Sequence, residues 1–309
     1  MNVEPITLAG KNGSYIFEPK DILSLNGRFG SVFKGKIAGT EVPVVLKFLS
    51  PKRGGKAAEF RFKMEAFFTF GRPDIQDALD FIQTDKGLFL VKQYIPGKTL
   101  KQTKTNKVSF IEWKESLLSL LDTLDFLHQK GITHGDIKPA NIIWPKSADN
   151  QPDKPVLLDF GLARLNSVSY NDSLFSFIYS PPEQLLGFGH LMGVSSDLFA
   201  LGVTFYEAIT NEPAYDFDTE NGPAILEQAQ LAFPLAKNSA LPDDWFVFIS
   251  YLCQKPAFRK PHRHYSKPEQ EKLLLESLGK RPSDIQRVKE MALRLSTEKP
   301  RKNIWRIFG

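Results

Sequence analysis

His134-Gly135-Asp136-Ile137-Lys138-Pro139-Ala140-Asn141 and, shortly after, Leu157-Leu158-Asp159-Phe160-Gly161 are the stretches on which the reading of this 309-residue chain turns. They bring together three oxygen-bearing side chains, Asp136, Asn141 and Asp159. Carboxylate and amide oxygens are the ligands that a hard cation such as Mg²⁺ takes. A carboxylate held near a reacting hydroxyl can also accept its proton. Lys138 adds a cation two residues from Asp136, where it can balance negative charge developing on a reacting group. An isolated Asp-Phe-Gly carries little weight; the weight comes from both stretches in this order.

Upstream, Leu25-Asn26-Gly27-Arg28-Phe29-Gly30-Ser31-Val32 holds two glycines that allow positive φ and close backbone approach to a ligand. Read alone it is a tight hairpin. Val44-Val45-Leu46-Lys47 follows, an apolar strand ending in a lysine that is costly to bury without a partner. Two glutamates, Glu59 and Glu65, stand on the helix expected next.

Composition sets the bounds. Hydrophobic residues make up 42% and charged residues 24%, the balance of a soluble globular chain. No run of 18 apolar residues is present, so no spanning helix is expected, and residues 1–10 do not read as a signal peptide. A single cysteine, Cys253, excludes an internal disulfide and points to a reducing, cytoplasmic setting. Net charge is +5 but uneven: from Lys255 onward there are 15 Lys and Arg against 6 Asp and Glu, leaving 25 against 29 before it. That basic C-terminal region can be a solvated surface, or can meet a partner or an anionic surface. No specific nucleic-acid binding is expected.

Short alternating stretches predict strands at 15–17, 31–34, 42–48 and 87–94, with a helix over 56–70 between the last two. Beyond Pro96-Gly97 the pattern turns helical. Residues 113–130 carry a wide apolar face, 197–209 are almost wholly apolar, and 284–295 show one apolar stripe. Two further strands are expected on either side of the turn at 145–154. A small strand-rich part therefore precedes a larger helical part.

With these residues in place, the chain resembles the eukaryotic-like (Hanks-type) Ser/Thr protein kinase family over residues ~15 to ~260. The resemblance implies an α+β, bilobal kinase fold with ATP in the cleft between lobes. Residues 1–14 would be an N-terminal extension, 15–94 the N-lobe, 95–300 the C-lobe and 301–309 a basic aromatic tail. It implies transfer of the γ-phosphoryl group of ATP to Ser or Thr of a protein substrate, with autophosphorylation. Asp136 would orient the substrate hydroxyl, Lys138 would balance phosphoryl charge, and Lys47 would pair with Glu65, with Glu59 as the fallback, and with the phosphates. Asn141 and Asp159 would hold Mg²⁺ or Mn²⁺. Gly27, Gly30, Val32, Val45, Lys47, Gln93, Tyr94 and Ile143 would line the nucleotide. The rival readings are a pseudokinase that binds without turnover and, less favoured, a small-molecule kinase. Lys138-Pro139 and 176–183 weigh against the latter.

Several positions depart from the family. Leu25 stands for the first glycine of the loop, Val45 for an alanine over the adenine, and Gly135 for the arginine that usually reads a phosphate on the activation segment. Lys92 occupies the position that gates the deep pocket; it can snorkel outward, pair with Glu65 or narrow the pocket. Ser167, Ser169, Tyr170, Ser173 and Ser176 are candidate phosphosites, Ser176 also being placed to bond Asp136 and Lys138. Asp197 would pin the catalytic loop. Arg259 and Arg281 compete to pair with Glu183; if Arg281 wins, the stretch holding His262-Arg263-His264 is an insertion. That histidine pair lacks a nearby Cys or Asp to complete a metal site. The tail residues Ile304-Trp305-Arg306-Ile307-Phe308 would pack back on the domain or touch a membrane surface.

Overall fold

Strands account for most of the first 93 residues. The computed structural model describes residues 4–27, 30–144, 153–165, 178–215, 231 and 234–300. β1 (Ile6–Ala9), β2 (Ser14–Gly27), β3 (Gly30–Ile37) and β4 (Pro43–Leu49) lead into helix α1 (Pro51–Phe67), then β5 (Ala78–Thr84) and β6 (Gly87–Gln93). They form one antiparallel sheet in the order β1-β2-β3-β4-β6-β5. Register slips along β2 between Phe17 and Gly27 mark bulges that bend this long strand.

The two-residue period divides the sheet. Val44 and Leu46 on β4 join Phe17, Ile82, Phe89 and Val91 in one apolar cluster. The alternate residues face α1: Leu49, Leu88 and Leu90 pack there against Ala58 and Phe62. Lys47 lies opposite Leu90 and Lys92 opposite Val45, so both lysines share this helix-covered face as diagonal neighbours. On α1 the buried residues Ala58, Phe62 and Glu65 fall at helical spacing, so the stripe that seats the helix also carries a carboxylate inward. The helix starts earlier than the expected residue 56, with a break at Gly55 (φ 53°, ψ 168°). It ends at Phe67 rather than 70, because the Phe70 and Gly71 N–H groups donate to the Asp77 carboxylate.

The chain divides into two compact units, residues up to Gly97 with Ile143–Ala163, and the remainder. The second is helical: α2 (Phe110–Gln129), α3 (Pro182–Leu185), α4 (Val194–Thr210), α5 (Asp243–Leu252), α6 (Lys267–Leu278) and α7 (Ile285–Leu293). Ser109 caps α2 in a capping box with Glu112. The helix buries Trp113, Leu117, Leu120, Leu121, Leu124 and Leu127. α2 packs against α7, and α4 against α5. α4 is buried nearly all round, and ends where Asn211 takes a left-handed conformation (φ 57°). Trp113 meets Phe205 edge-on at 5.7 Å, and Phe110 meets Trp245 at 5.6 Å.

Arg281, not Arg259, pairs with Glu183. Its two terminal nitrogens reach the two carboxylate oxygens at 2.9 and 2.8 Å, and both side chains are wholly buried. Ser196 adds a hydroxyl donor at 2.7 Å. Arg259 is exposed. The stretch between them contains α6. Lys267 fastens that helix through a 2.8 Å bond to the Leu186 carbonyl. Losing one partner of a buried ion pair costs about 3–5 kcal/mol, and an exposed side chain within about 0.5 kcal/mol. Arg281→Ala should lower unfolding free energy by the first amount and Arg259→Ala by no more than the second, measured by urea denaturation.

Candidate active site

In the strand-rich unit, four charges meet on the helix-covered face of the sheet. The Lys47 ammonium lies 2.9 and 3.0 Å from the two Glu65 oxygens and 3.0 Å from Asp159 Oδ2. Lys92 donates to Glu65 Oε1 from the other side. Of the three outcomes weighed for Lys92, the structure has the pair with Glu65, with Lys92 only 1% exposed. Glu59, the fallback partner for Lys47, instead faces outward and pairs with Lys63 at 2.7 Å. Burial pulls Lys47 downward, but attraction to Asp159 and Glu65 outweighs it and raises its pKa above the ordinary lysine value. For Lys92 burial wins, Lys47 adds a like charge, and the pKa is lowered.

Asp159 reaches this cluster because the chain around it is stitched to the sheet-bearing unit. Leu157 N–H donates to Asp74 O at 2.9 Å, and Gln76 N–H to Leu157 O at 3.0 Å. Asp159 then takes a left-handed backbone (φ 62°), and its Oδ1 accepts from Gly161 N–H at 3.2 Å. The buried Phe160 ring lies 6.0 Å from Phe68 and 5.2 Å from Phe70, so the residues just past α1 hold this turn. Gly30 has φ 135°, and a Cβ there would fall 1.7 Å from the Phe48 carbonyl oxygen, so only glycine fits. Gly27 pairs with Gly30 across the end of the β2–β3 ladder. Val32, opposite Lys47, and Val45, two residues before it, stand on the same face as the lysines. Gln93 ends β6, its N–H donating to Asp77 O; Tyr94 follows with Lys34 over its ring, and Ile143 is buried in a short strand at Ile142–Trp144.

In the helical unit the loop at 134–141 hangs from one buried carboxylate. Asp197, on the first turn of α4, accepts from His134 N–H (2.8 Å) and Gly135 N–H (2.9 Å), and bonds His128 Nε2 at 2.7 Å. Burial alone would raise its pKa; the bonds to His128 and the loop N–H groups hold it below the usual value. Gly135 has φ 73°, a conformation that strains most side chains, and Gln184 Nε2 donates to its carbonyl at 2.9 Å. His134 is buried, and its Nδ1 accepts from Asp136 N–H at 3.2 Å. The Asp136 carboxylate is bonded by Lys138 Nζ at 2.7 Å and by Asn141 Nδ2 at 3.0 Å. Asn141 Nδ2 also donates to the Asp136 carbonyl, which turns its own amide oxygen away as an acceptor.

The Asn141 amide oxygen in the helical unit and the Asp159 carboxylate in the strand-rich unit are oxygens of the kind that ligate hard cations, and Lys47 is a buried cation on β4. Among the described residues no three His, Cys, Asp or Glu form a metal cluster. His128 and Gln184 were not singled out from sequence. His128 sits on α2 beside Leu127, where a lone histidine on an apolar face was the available signal. Gln184 acts through a bond to a backbone carbonyl, which left no signal in the sequence. The candidate phosphosites at 167–176, the loop residues 28–29 and the tail at 301–309 lie outside the described residues.

The comparisons with known proteins agree with this geometry. The family model for the protein kinase domain matches residues 26–284. Among curated proteins, the chain is 27% identical over 89% of its length to the serine/threonine-protein kinase pkn3 of Myxococcus xanthus, covering 48% of that protein. It is 31% identical over 62% of its length to serine/threonine-protein kinase B of Synechocystis, covering 36% of that protein. The chain thus spans half or less of these relatives. Among solved structures, the Cydia pomonella granulovirus kinase PK-1 superposes with a TM-score of 0.63 at 18% identity, over 89% of this chain and 92% of that one.

Because Asp197 carries His128 and two loop N–H groups, Asp197→Asn should cost about 2 kcal/mol or more at neutral pH. Its folded pKa lies below the unfolded one, so its contribution is complete above the unfolded value and lost as pH falls through the folded one. Denaturation curves of the two proteins should differ at pH 7 and converge in strong acid.

Proposed function

The chain belongs to the protein kinase family, and from that premise we propose that it transfers the γ-phosphoryl group of ATP to Ser or Thr of protein substrates and of itself. The observation that carries this is the Asp136 carboxylate, bonded by both Lys138 and Asn141 on a loop fixed to Asp197. Each charged position needed for transfer is filled, which favours an enzyme over a binding module.

Asp136 orients the acceptor hydroxyl and takes its proton as the new O–P bond forms and ADP leaves. Lys138 balances charge on the moving phosphoryl group, and Lys47, aligned by Glu65, does so on the phosphates. Asn141 and Asp159 are the ligands for Mg²⁺, which when bound neutralises phosphate charge. Gly27, Gly30, Val32, Val45, Gln93, Tyr94 and Ile143 line the nucleotide. The catalytic domain is read as an N-lobe over 15–94 and a C-lobe over 95–300, preceded by 1–14 and followed by a basic tail. Cys253 is buried, and burial pushes its thiol up to about 12, so it stays an unreactive thiol; the setting is read as cytoplasmic. Among the described residues no helix is long and apolar enough to cross a membrane. The basic C-terminal region is available to an acidic partner or surface.

The protein incubated with Mg²⁺, γ-labelled ATP and a generic basic protein should yield labelled phosphoserine or phosphothreonine. Asp136→Ala should reduce the rate by about 10²–10⁴-fold. ATP binding without label in any protein would favour a pseudokinase, and label only in small metabolites would favour the small-molecule reading.

A further inference from the structure

Lys92 is at odds with its surroundings. It stands on β6, on the sheet face where Leu88 and Leu90 pack against Ala58 and Phe62 of α1, almost without solvent contact. A lysine there gives up its hydration, and an apolar side chain of similar length would fill the space at less cost. What the ammonium gains is Glu65 Oε1.

The charge count explains why a second cation is useful. Glu65 is 3% exposed, and Lys47 is divided between Glu65 and Asp159. Without Lys92, Glu65 would depend among these groups on Lys47 alone, which is shared with Asp159. Lys92 brings the cluster to two acids and two bases. It also changes what happens when Lys47 turns toward phosphate oxygens. Glu65 then keeps a cation, and α1 keeps its inward anchor. Gly135 stands where the family resemblance implies an arginine that reads a phosphate, so the loop lacks that reader.

We infer that Lys92 is a positioning residue, a second cation on Glu65 that holds α1 inward and keeps Lys47 aligned without a phosphorylation signal. The inference rests on the kinase reading above and deepens it by naming how the site is kept assembled.

The test uses Lys92→Met, which keeps the stem and removes the charge. Three readouts are taken on the intact chain: kcat and ATP Kd for label transfer, thermal stability, and hydrogen exchange of α1. The expected result is a fall in kcat of about tenfold or more with ATP Kd changed by less than about threefold. Thermal stability should fall, because removing one partner of a buried ion pair leaves Glu65 with less compensating charge. A merely structural lysine would lower stability with kcat preserved, so kcat is the readout that separates the two. Exchange at residues 58–67 should quicken. In a Glu65→Gln background, adding Lys92→Met should change kcat by less than about twofold, because the lysine acts through Glu65.

Unchanged kcat in the single variant, or an equal loss in the Glu65→Gln background, overturns the inference. Should Lys92→Met fail to fold, Lys92→Arg takes its place; exchange of α1 as slow as in the wild type supports the charge, and exchange as fast as that of a Glu65→Gln protein overturns it. If the wild type transfers no label, the kinase reading fails on its own, and hydrogen exchange still decides whether Lys92 holds α1.

Discussion

The Glu65 carboxylate, buried on α1 between the ammonium groups of Lys47 and Lys92, is the constraint around which the strand-rich unit is arranged. An ionised carboxylate removed from water has to find compensating charge or be neutralised. β4 and β6 supply that charge from diagonal positions of one sheet face, and the Asp159 turn closes the cluster on the far side of Lys47. The apolar contacts of Ala58 and Phe62 seat the helix. The ion pairs fix its rotation and register, because only one face of α1 can be satisfied there. Burial by itself would tolerate small shifts of the helix; four charges within bonding distance do not.

The helical unit solves a related problem with different parts. Asp197 and Glu183 are both buried carboxylates, and each is surrounded by fixed donors. Asp197 holds the backbone of the loop at 134–135, while Glu183, paired with Arg281, holds the start of α3. Gln184, the next residue, then reaches back to the Gly135 carbonyl. The loop carrying Asp136 is therefore tied to α4 and α3 by polar contacts that exclude water. The side chains that would do chemistry, Asp136 and Lys138, remain partly open. Rigid support with accessible chemistry is what positioning an acceptor hydroxyl demands.

Much of this was legible in the sequence because the informative residues lie in short local patterns. The alternation in β4, the apolar face of α2 and the order of Asp136, Asn141 and Asp159 are properties of neighbours along the chain. What could not be read depended on distant partners. β5 was missed because Asp80 sits inside it, a residue that disfavours strands. Asn12 N–H at 2.8 Å and the Tyr15 hydroxyl at 3.3 Å satisfy that carboxylate from far along the chain. β1 lies in the stretch expected to be an extension, yet it pairs with β2 from Ile6 to Ala9. Arg259 and Arg281 both stand near a proline and could not be ranked locally; burial beside Glu183 decides for Arg281. Lys92 was recognisable as unusual, but its partner was fixed only once the sheet register placed it diagonal to Lys47.

Within each unit, buried carboxylates held by fixed cations and donors support the residues proposed for catalysis. The most direct measurement of that idea is specific activity before and after exhaustive treatment with a protein phosphatase, with removal of phosphate verified by intact mass. The account predicts that activity stays within about twofold, since Glu65 keeps both its cations without phosphorylation. A large loss of activity on dephosphorylation, restored by renewed autophosphorylation, would contradict it.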